Sequence, residues 1–136
     1  MSLTNILDIC SSAMNVEEKN IEIHTNNISN AESIENKNGK FNPYKAKIAI
    51  VETYKKNINS PEMLRIKKII NTKDPYKKIY NPNHPLADSK GYLKLSNVNY
   101  LNETVNYLNA AKRYQANLEI VQTIKYMILK TIDISK

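Results

Sequence analysis

Two histidines, a single cysteine and 13 carboxylates are the side chains of this 136-residue chain best suited to catalysis or metal binding. Cys10 and His24 could serve as nucleophile and base, but they stand 14 positions apart, nearly four turns and about 20 Å along one helix. His24 falls on a helical seam, where it is expected to be packed or interfacial. His84 lies between Pro82 and Pro85, with no cysteine near it and no metal-ligand spacing to His24. Glu17, Glu18 and Glu22 form an acidic helix face of the kind that is ordinarily solvated. Gly39 and Gly91, the only glycines, are 52 positions apart, so no phosphate-cradling glycine loop can form. These residues point to no catalysis, no cofactor and no metal, and the chain is expected not to be an enzyme.

The amides suggest contact chemistry instead. His24-Thr25-Asn26-Asn27-Ile28-Ser29-Asn30-Ala31 gathers amide and hydroxyl groups at the end of an apolar helical run. Asparagine donates and accepts at once, so it can stop a helix and bond backbone groups of an adjacent chain. Arg113-Tyr114-Gln115-Ala116-Asn117 is the counterpart in the last helical run, and Arg and Tyr are common anchors at subunit contacts. A plain helix C-terminus and a solvated helix surface are the alternatives for these two segments.

Two helices must carry those groups. The five prolines, at 43, 61, 75, 82 and 85, and both glycines fall in the middle of the chain, and residues 1–38 and 92–136 contain neither. The first helix is expected from about Leu3, with Ser2 or Thr4 as cap. Spacing alternates four and three along a largely apolar line, Leu3, Leu7, Cys10, Met14, Glu17, Ile21, His24 and Ile28, and a second apolar line runs through Ile6, Ile9, Ala13, Val16 and Ile23. Two seams cannot both be covered by one partner helix. The last helix carries Leu101, Val105, Leu108, Ala111, Tyr114, Leu118, Val121, Ile124, Ile128 and Ile132, a step close to the coiled-coil repeat. Rods of roughly 40 and 50 Å outrun a compact globule of this length, about 35–40 Å across. Their outer seams are therefore expected to be buried by other subunits.

Between them, Asn38-Gly39 signals a turn, and Tyr44 to Val51, Leu64 to Lys67 and Tyr92 to Leu95 alternate as half-buried strands do. Asp74-Pro75 and Asn81-Pro82-Asn83-His84-Pro85 force loops. The expected fold is mainly α. Long N- and C-terminal helices form an elongated coiled-coil-like pair around a central irregular or β-rich insert, divided as residues 1–36, 37–97 and 98–136.

Charge is uneven: the net is −5 over residues 1–36, +10 over 37–95 and +2 over 96–136. A basic middle is compatible with a nucleic-acid-binding module. Phosphate and base readers lean on arginine, and only Arg65 and Arg113 are present. A coiled-coil adaptor that never polymerises is the other alternative. Cys10 is alone, so no disulfide forms within the chain. The N-terminus has no cation before Lys19 and an interrupting Asp8, unlike a cleaved secretory signal. Leu118 to Ile134 contains four charged residues and is unsuited to span a membrane.

On the same residues the chain resembles the bacterial flagellar axial proteins, the rod, hook and hook-associated subunits. Asn26-Asn27-Ile28-Ser29-Asn30-Ala31 matches their A-x-N-N-L-A-N-A-like motif, with Ile28 and Ser29 in place of the usual Leu-Ala. Tyr80-Asn81-Pro82-Asn83-His84-Pro85-Leu86-Ala87-Asp88-Ser89-Lys90-Gly91-Tyr92 is similar to the Y-x-P-x-x-P-L-A-D-x-x-G-Y stretch of the proximal-rod members. Asn97-Val98, Glu103, Val105, Asn106 and Arg113-Tyr114-Gln115-Ala116-Asn117 follow in the family order, and Pro43-Tyr44-Lys45-Ala46-Lys47 fits its Y-R-A-K region. Residues 52–73 depart from it, being rich in Lys and Asn. The resemblance implies a structural subunit of the proximal rod that carries torque from motor to hook, with no catalysis. It implies export through the flagellar type III apparatus into the periplasmic rod of the basal body, without a cleaved signal peptide. The implied partners are copies of the chain, other rod subunits and the export-gate adaptor at the rod base, with no nucleic acid and no membrane span. The assembly contacts expected on this basis are Asn26, Asn27, Ile28, Asn30, Ala31, Pro85, Leu86, Asp88, Tyr92, Arg113, Tyr114, Gln115 and Asn117.

Overall fold

The computed structural model describes residues 2–37 and 40–136, so the turn expected at Asn38-Gly39 lies outside the described residues. Two helices, α1 (Leu3–Ser29) and α2 (Tyr100–Ile134), flank six strands. These are β1 (Ile34–Lys37), β2 (Lys40–Pro43), β3 (Lys47–Tyr54), β4 (Met63–Asn71), β5 (Lys77–Tyr80) and β6 (Tyr92–Leu95). The mainly α architecture with a strand-containing centre is the one expected. With 27 and 35 residues, the helices are about 40 and 52 Å long.

Both helices start on a side-chain cap. The Ser2 hydroxyl accepts the Asn5 N–H at 3.2 Å, and the Asn99 side-chain oxygen accepts the N–H groups of Leu101 and Asn102 at 3.1 and 3.2 Å. Each satisfies donors that the first turn leaves without an intrahelical partner. Glu103 in the first turn of α2 also suits the positive end of the helix dipole.

The strands pair only in twos, all antiparallel: β1 with β2, β3 with β4, β5 with β6. An isolated two-stranded ribbon is marginal in water, and β3–β4 is backed by α1. The strand expected from Tyr44 begins only at Lys47, because Tyr44 and Ala46 are held by asparagines from elsewhere in the chain. The Tyr44 hydroxyl donates to Asn27 Oδ1 at 2.9 Å, and the Ala46 N–H to Asn97 Oδ1 at 2.8 Å. β4 outruns the expected Leu64–Lys67 alternation since it pairs along the whole of β3, with a register shift between Ile50 and Val51. β5 was not foreseen. It exists as the partner of β6, with Tyr80 opposite Tyr92 and their rings edge to face at 5.4 Å.

The two seams of α1 go to different neighbours. Ser12, Val16, Ile23 and Asn27, all buried, face the β3–β4 ribbon: the Ser12 hydroxyl accepts the Leu64 N–H at 3.2 Å, and Asn27 bonds Lys47. Glu17 and His24 face α2, through Arg113 and Glu103. Glu17 is thus no solvated carboxylate, unlike the expectation for the acidic face.

On α2 the line buried against α1 is Glu103, Ala110 and Ile124, a sevenfold spacing. Leu101, Val105 and Leu108, expected on the seam, are 72, 46 and 51% exposed. The physical reason is rotational: Glu103 turns inward to meet Asn27 and His24, and at about 100° per residue this sends the leucines to the far side. α2 also overshoots its partner. With Glu17 beside Arg113 and His24 beside Glu103, α1 runs out near Lys125, so about nine residues and roughly 13 Å of α2 extend past it. That extension exposes Tyr126, Met127, Leu129, Ile132 and Ile134.

Candidate assembly surface

The chain is knotted together where α1 ends, β3 starts and α2 starts. Ala31, Ala46 and Val98 form the buried cluster there, with Tyr44 against it. Asn27, 0% exposed, uses its whole amide inside the chain. Its Nδ2 donates to the Lys47 carbonyl at 2.9 Å and to Glu103 Oε2 at 3.1 Å. Its Oδ1 accepts the Lys47 N–H and the Tyr44 hydroxyl, both at 2.9 Å. His24 Nδ1 lies 2.7 Å from the same Glu103 oxygen. A carboxylate only accepts, so the imidazole carries its proton on Nδ1. Burial first, and then the Glu103 charge, push the Tyr44 hydroxyl above its ordinary pKa.

Asn97 repeats the device for the insert. Its Oδ1 holds the Ala46 N–H, and its Nδ2 donates to the Thr72 hydroxyl at 2.7 Å and the Asp74 carbonyl at 3.1 Å. The two asparagines fix the three segments to one another through polar groups that would be costly to leave buried and unpaired.

The expected contact residues fall into three separate places. Asn27 and Ala31 lie inside the knot, and Asn27 offers no surface to a neighbour. Asn26 is exposed, with its carbonyl accepting the Asn30 N–H at 3.0 Å and Asn30 Nδ2 at 2.9 Å. Ile28, half-buried, gives its carbonyl to the Ala31 N–H at 3.3 Å. Within the chain the asparagine cluster stops α1 and bonds its own backbone.

Leu86, Asp88 and Tyr92 gather with Ile34, Phe41 and Pro43 around a cleft of about 200 Å³, and Pro85 is exposed beside them. Asp88 organises the loop: one carboxylate oxygen accepts the N–H groups of Lys90 and Tyr92, each at 2.9 Å. The Tyr92 N–H first, and then that of Lys90 with the nearby Lys78 and Lys90 charges, hold its carboxyl below the ordinary value. Gly91 takes φ +82°, where a Cβ would stand 2.9 Å from Tyr80 Cε2.

Arg113 grips Glu17 with two bonds, at 2.7 and 3.2 Å, and the pair raises the guanidinium pKa. Asn117 donates to the Arg113 carbonyl at 2.9 Å, Gln115 reaches Glu119 at 3.4 Å, and Tyr114 lines a groove beside α1. Arg65 and Lys67 both turn onto Glu52, lowering its carboxyl pKa. Both arginines of the chain are thus paired with carboxylates. Glu103, Tyr44, Lys47 and Glu17 were not singled out as contact makers from sequence, because their partners lie 17 or more positions away. Among the described residues there is no cluster of three metal-ligating side chains and no helix long and apolar enough to cross a membrane.

The C-terminal part, residues 89–134, matches the family model described as flagellar basal body rod FlgEFG protein C-terminal. Over all 136 residues of both chains, the protein is 40% identical to the flagellar basal-body rod protein FlgC of Buchnera aphidicola subsp. Baizongia pistaciae. It is 42% identical, again end to end, to that of B. aphidicola subsp. Schizaphis graminum. The same protein of Salmonella typhimurium is 35% identical over the full length of both. The asparagine-stitched knot and the unpartnered outer faces thus occur in a chain that belongs to the FlgC family of flagellar basal-body rod proteins, structural subunits of the basal-body rod.

Proposed function

We propose that the chain polymerises with copies of itself and with other rod subunits in the periplasmic part of the rod. In this scheme residues 1–36 and 98–136 form the inner layer and residues 37–97 brace neighbouring subunits outside it. Export proceeds through the type III apparatus without a cleaved peptide, and the lowest subunits meet the export-gate adaptor. The observation that carries the proposal is the bare apolar face of α2, with Leu101 72% and Ile134 84% exposed. A lone molecule leaves this ridge and the α2 extension in water, and burial is worth about 25 cal/mol per Å² of apolar surface. Packed seams between long helices are close-packed and resist sliding, which suits a part that transmits torque.

Isolation of basal bodies tests this directly: the chain is expected to co-purify with them. Deleting residues 105–136 should abolish incorporation. So should Leu101→Asp with Leu108→Asp, while the soluble monomer keeps its stability to within about 0.5 kcal/mol, as exposed positions do. A chain absent from basal bodies, or one incorporated equally well with both aspartates, would sink the proposal.

A further inference from the structure

The tip of the β3–β4 ribbon carries an apolar side chain that its turn does not need. Asn57 and Ser60 close the turn through a 3.0 Å backbone bond, placing Ile58 at its first central position. Turns gain from Pro, Gly, Asn or Asp there, and a β-branched residue contributes nothing to closing one. Ile58 is 94% exposed, more than any other large apolar side chain among the described residues. Lys55 and Lys56 precede it, with Lys55 3.8 Å from Glu62 on the returning side of the turn.

A groove between α1 and α2 has the opposite character. Leu7, Met14, Tyr114 and Val121 line about 440 Å³, together with Ser11 and the carboxylates of Asp8 and Glu18. Both acids are exposed, and neither takes part in an ion pair among the described residues. The volume lies in the range of ligand-sized clefts, roughly 300–1,000 Å³. Its position decides what can enter. The ribbon covers the Ser12, Val16 and Asn27 face of α1. Leu7, Met14 and Glu18 point roughly 150° around the helix from that face, at about 100° per residue. The groove thus lies on the other side of α1 from the face its own ribbon covers, with Asn15 at the boundary between the two.

We propose that the ribbon tip of one copy docks in the α1–α2 groove of the next, Ile58 seated against Leu7, Met14, Tyr114 and Val121 and the lysines facing Asp8 and Glu18. The two surfaces differ, so the contact is heterologous. Repeated, it generates a ring or an open helical array, depending on whether the rotation closes. The opposed charges orient the approach. The contact rests on the rod assignment above and adds to it a specific neighbour for the basic insert.

The test is oxidation of isolated basal bodies carrying Ile58→Cys and Ser11→Cys in one full-length chain with Cys10→Ala. A ladder of covalently linked copies is expected from the double variant and none from either single cysteine. Incorporation without a ladder overturns the contact and leaves the rod assignment standing; absence of the unmodified chain from basal bodies removes the assignment itself. If the cysteine chain is not incorporated, purified Ile58→Cys and Ser11→Cys chains are mixed at high concentration and oxidised. A disulfide between the two, weakened at least tenfold by Glu18→Lys and restored by adding Lys56→Glu to the tip-bearing chain, supports the contact, and its absence overturns it.

Discussion

Asn27 and Glu103 stand 76 positions apart in the chain and 3.1 Å apart in space, and their bond sets how α2 lies on α1. Because Glu103 must point inward to reach both Asn27 and His24, the leucines on the other side of α2 point out. One buried polar contact thus decides which apolar surface is left for other subunits.

Replacing Asn27 by Ala should therefore cost on the order of 3 kcal/mol, since it removes the acceptor of the part-buried Lys47 N–H and Tyr44 hydroxyl and the donor to the Lys47 carbonyl and Glu103. Asn27→Asp keeps an acceptor for both but sets a second carboxylate beside Glu103. It should not restore stability at neutral pH. Urea denaturation of the purified chain measures both.

The Glu17–Arg113 pair is lopsided, its carboxylate 13% and its guanidinium 56% exposed. Solvent screens such a pair, so Arg113→Ala should cost only about 0.5–1 kcal/mol. Arg113→Lys keeps the charge without the two-bond fork and should fall between. High salt should shrink the difference between wild type and Arg113→Ala in the same denaturation experiment.

Asp88 gives a pH dependence of known sign. Its folded pKa is depressed, chiefly by the Tyr92 N–H. Its contribution is therefore complete above the unfolded value, about 4, and is lost as pH falls through the lower folded value. Amide exchange at Lys90 and Tyr92 should accelerate over that acid range, relative to the exchange expected of free amides. In Asp88→Asn the acid-dependent step should be missing.

Gly91→Ala should destabilise the loop before β6 by about 1–2 kcal/mol for the left-handed backbone alone. The Cβ placed 2.9 Å from Tyr80 Cε2 adds to this. Tyr80→Ala relieves that contact but neither the backbone strain nor the approach to Pro82 Cβ at 3.1 Å, so measured against Tyr80→Ala alone, Gly91→Ala should cost less but still destabilise. Thermal unfolding of these variants separates the contributions.

Residue order alone determined the helices. Uninterrupted helical periodicity and the Ser2 cap place α1, and the absence of any breaker after Gly91 leaves room for α2. These are local properties, fixed by neighbours within one or two turns. The family motifs were legible for a similar reason, being contiguous. Tertiary structure decided everything that joins distant positions. It revealed β5 through its partner β6, and moved the start of β3 from Tyr44 to Lys47. It buried Asn27 among bonds within its own chain, and turned Leu101 and Leu108 outward. A periodic apolar pattern shows that a helix will be covered, but not which side is covered first. Buried hydrogen bonds settle that, because a carboxylate or amide removed from water tolerates few orientations while an apolar stripe tolerates many.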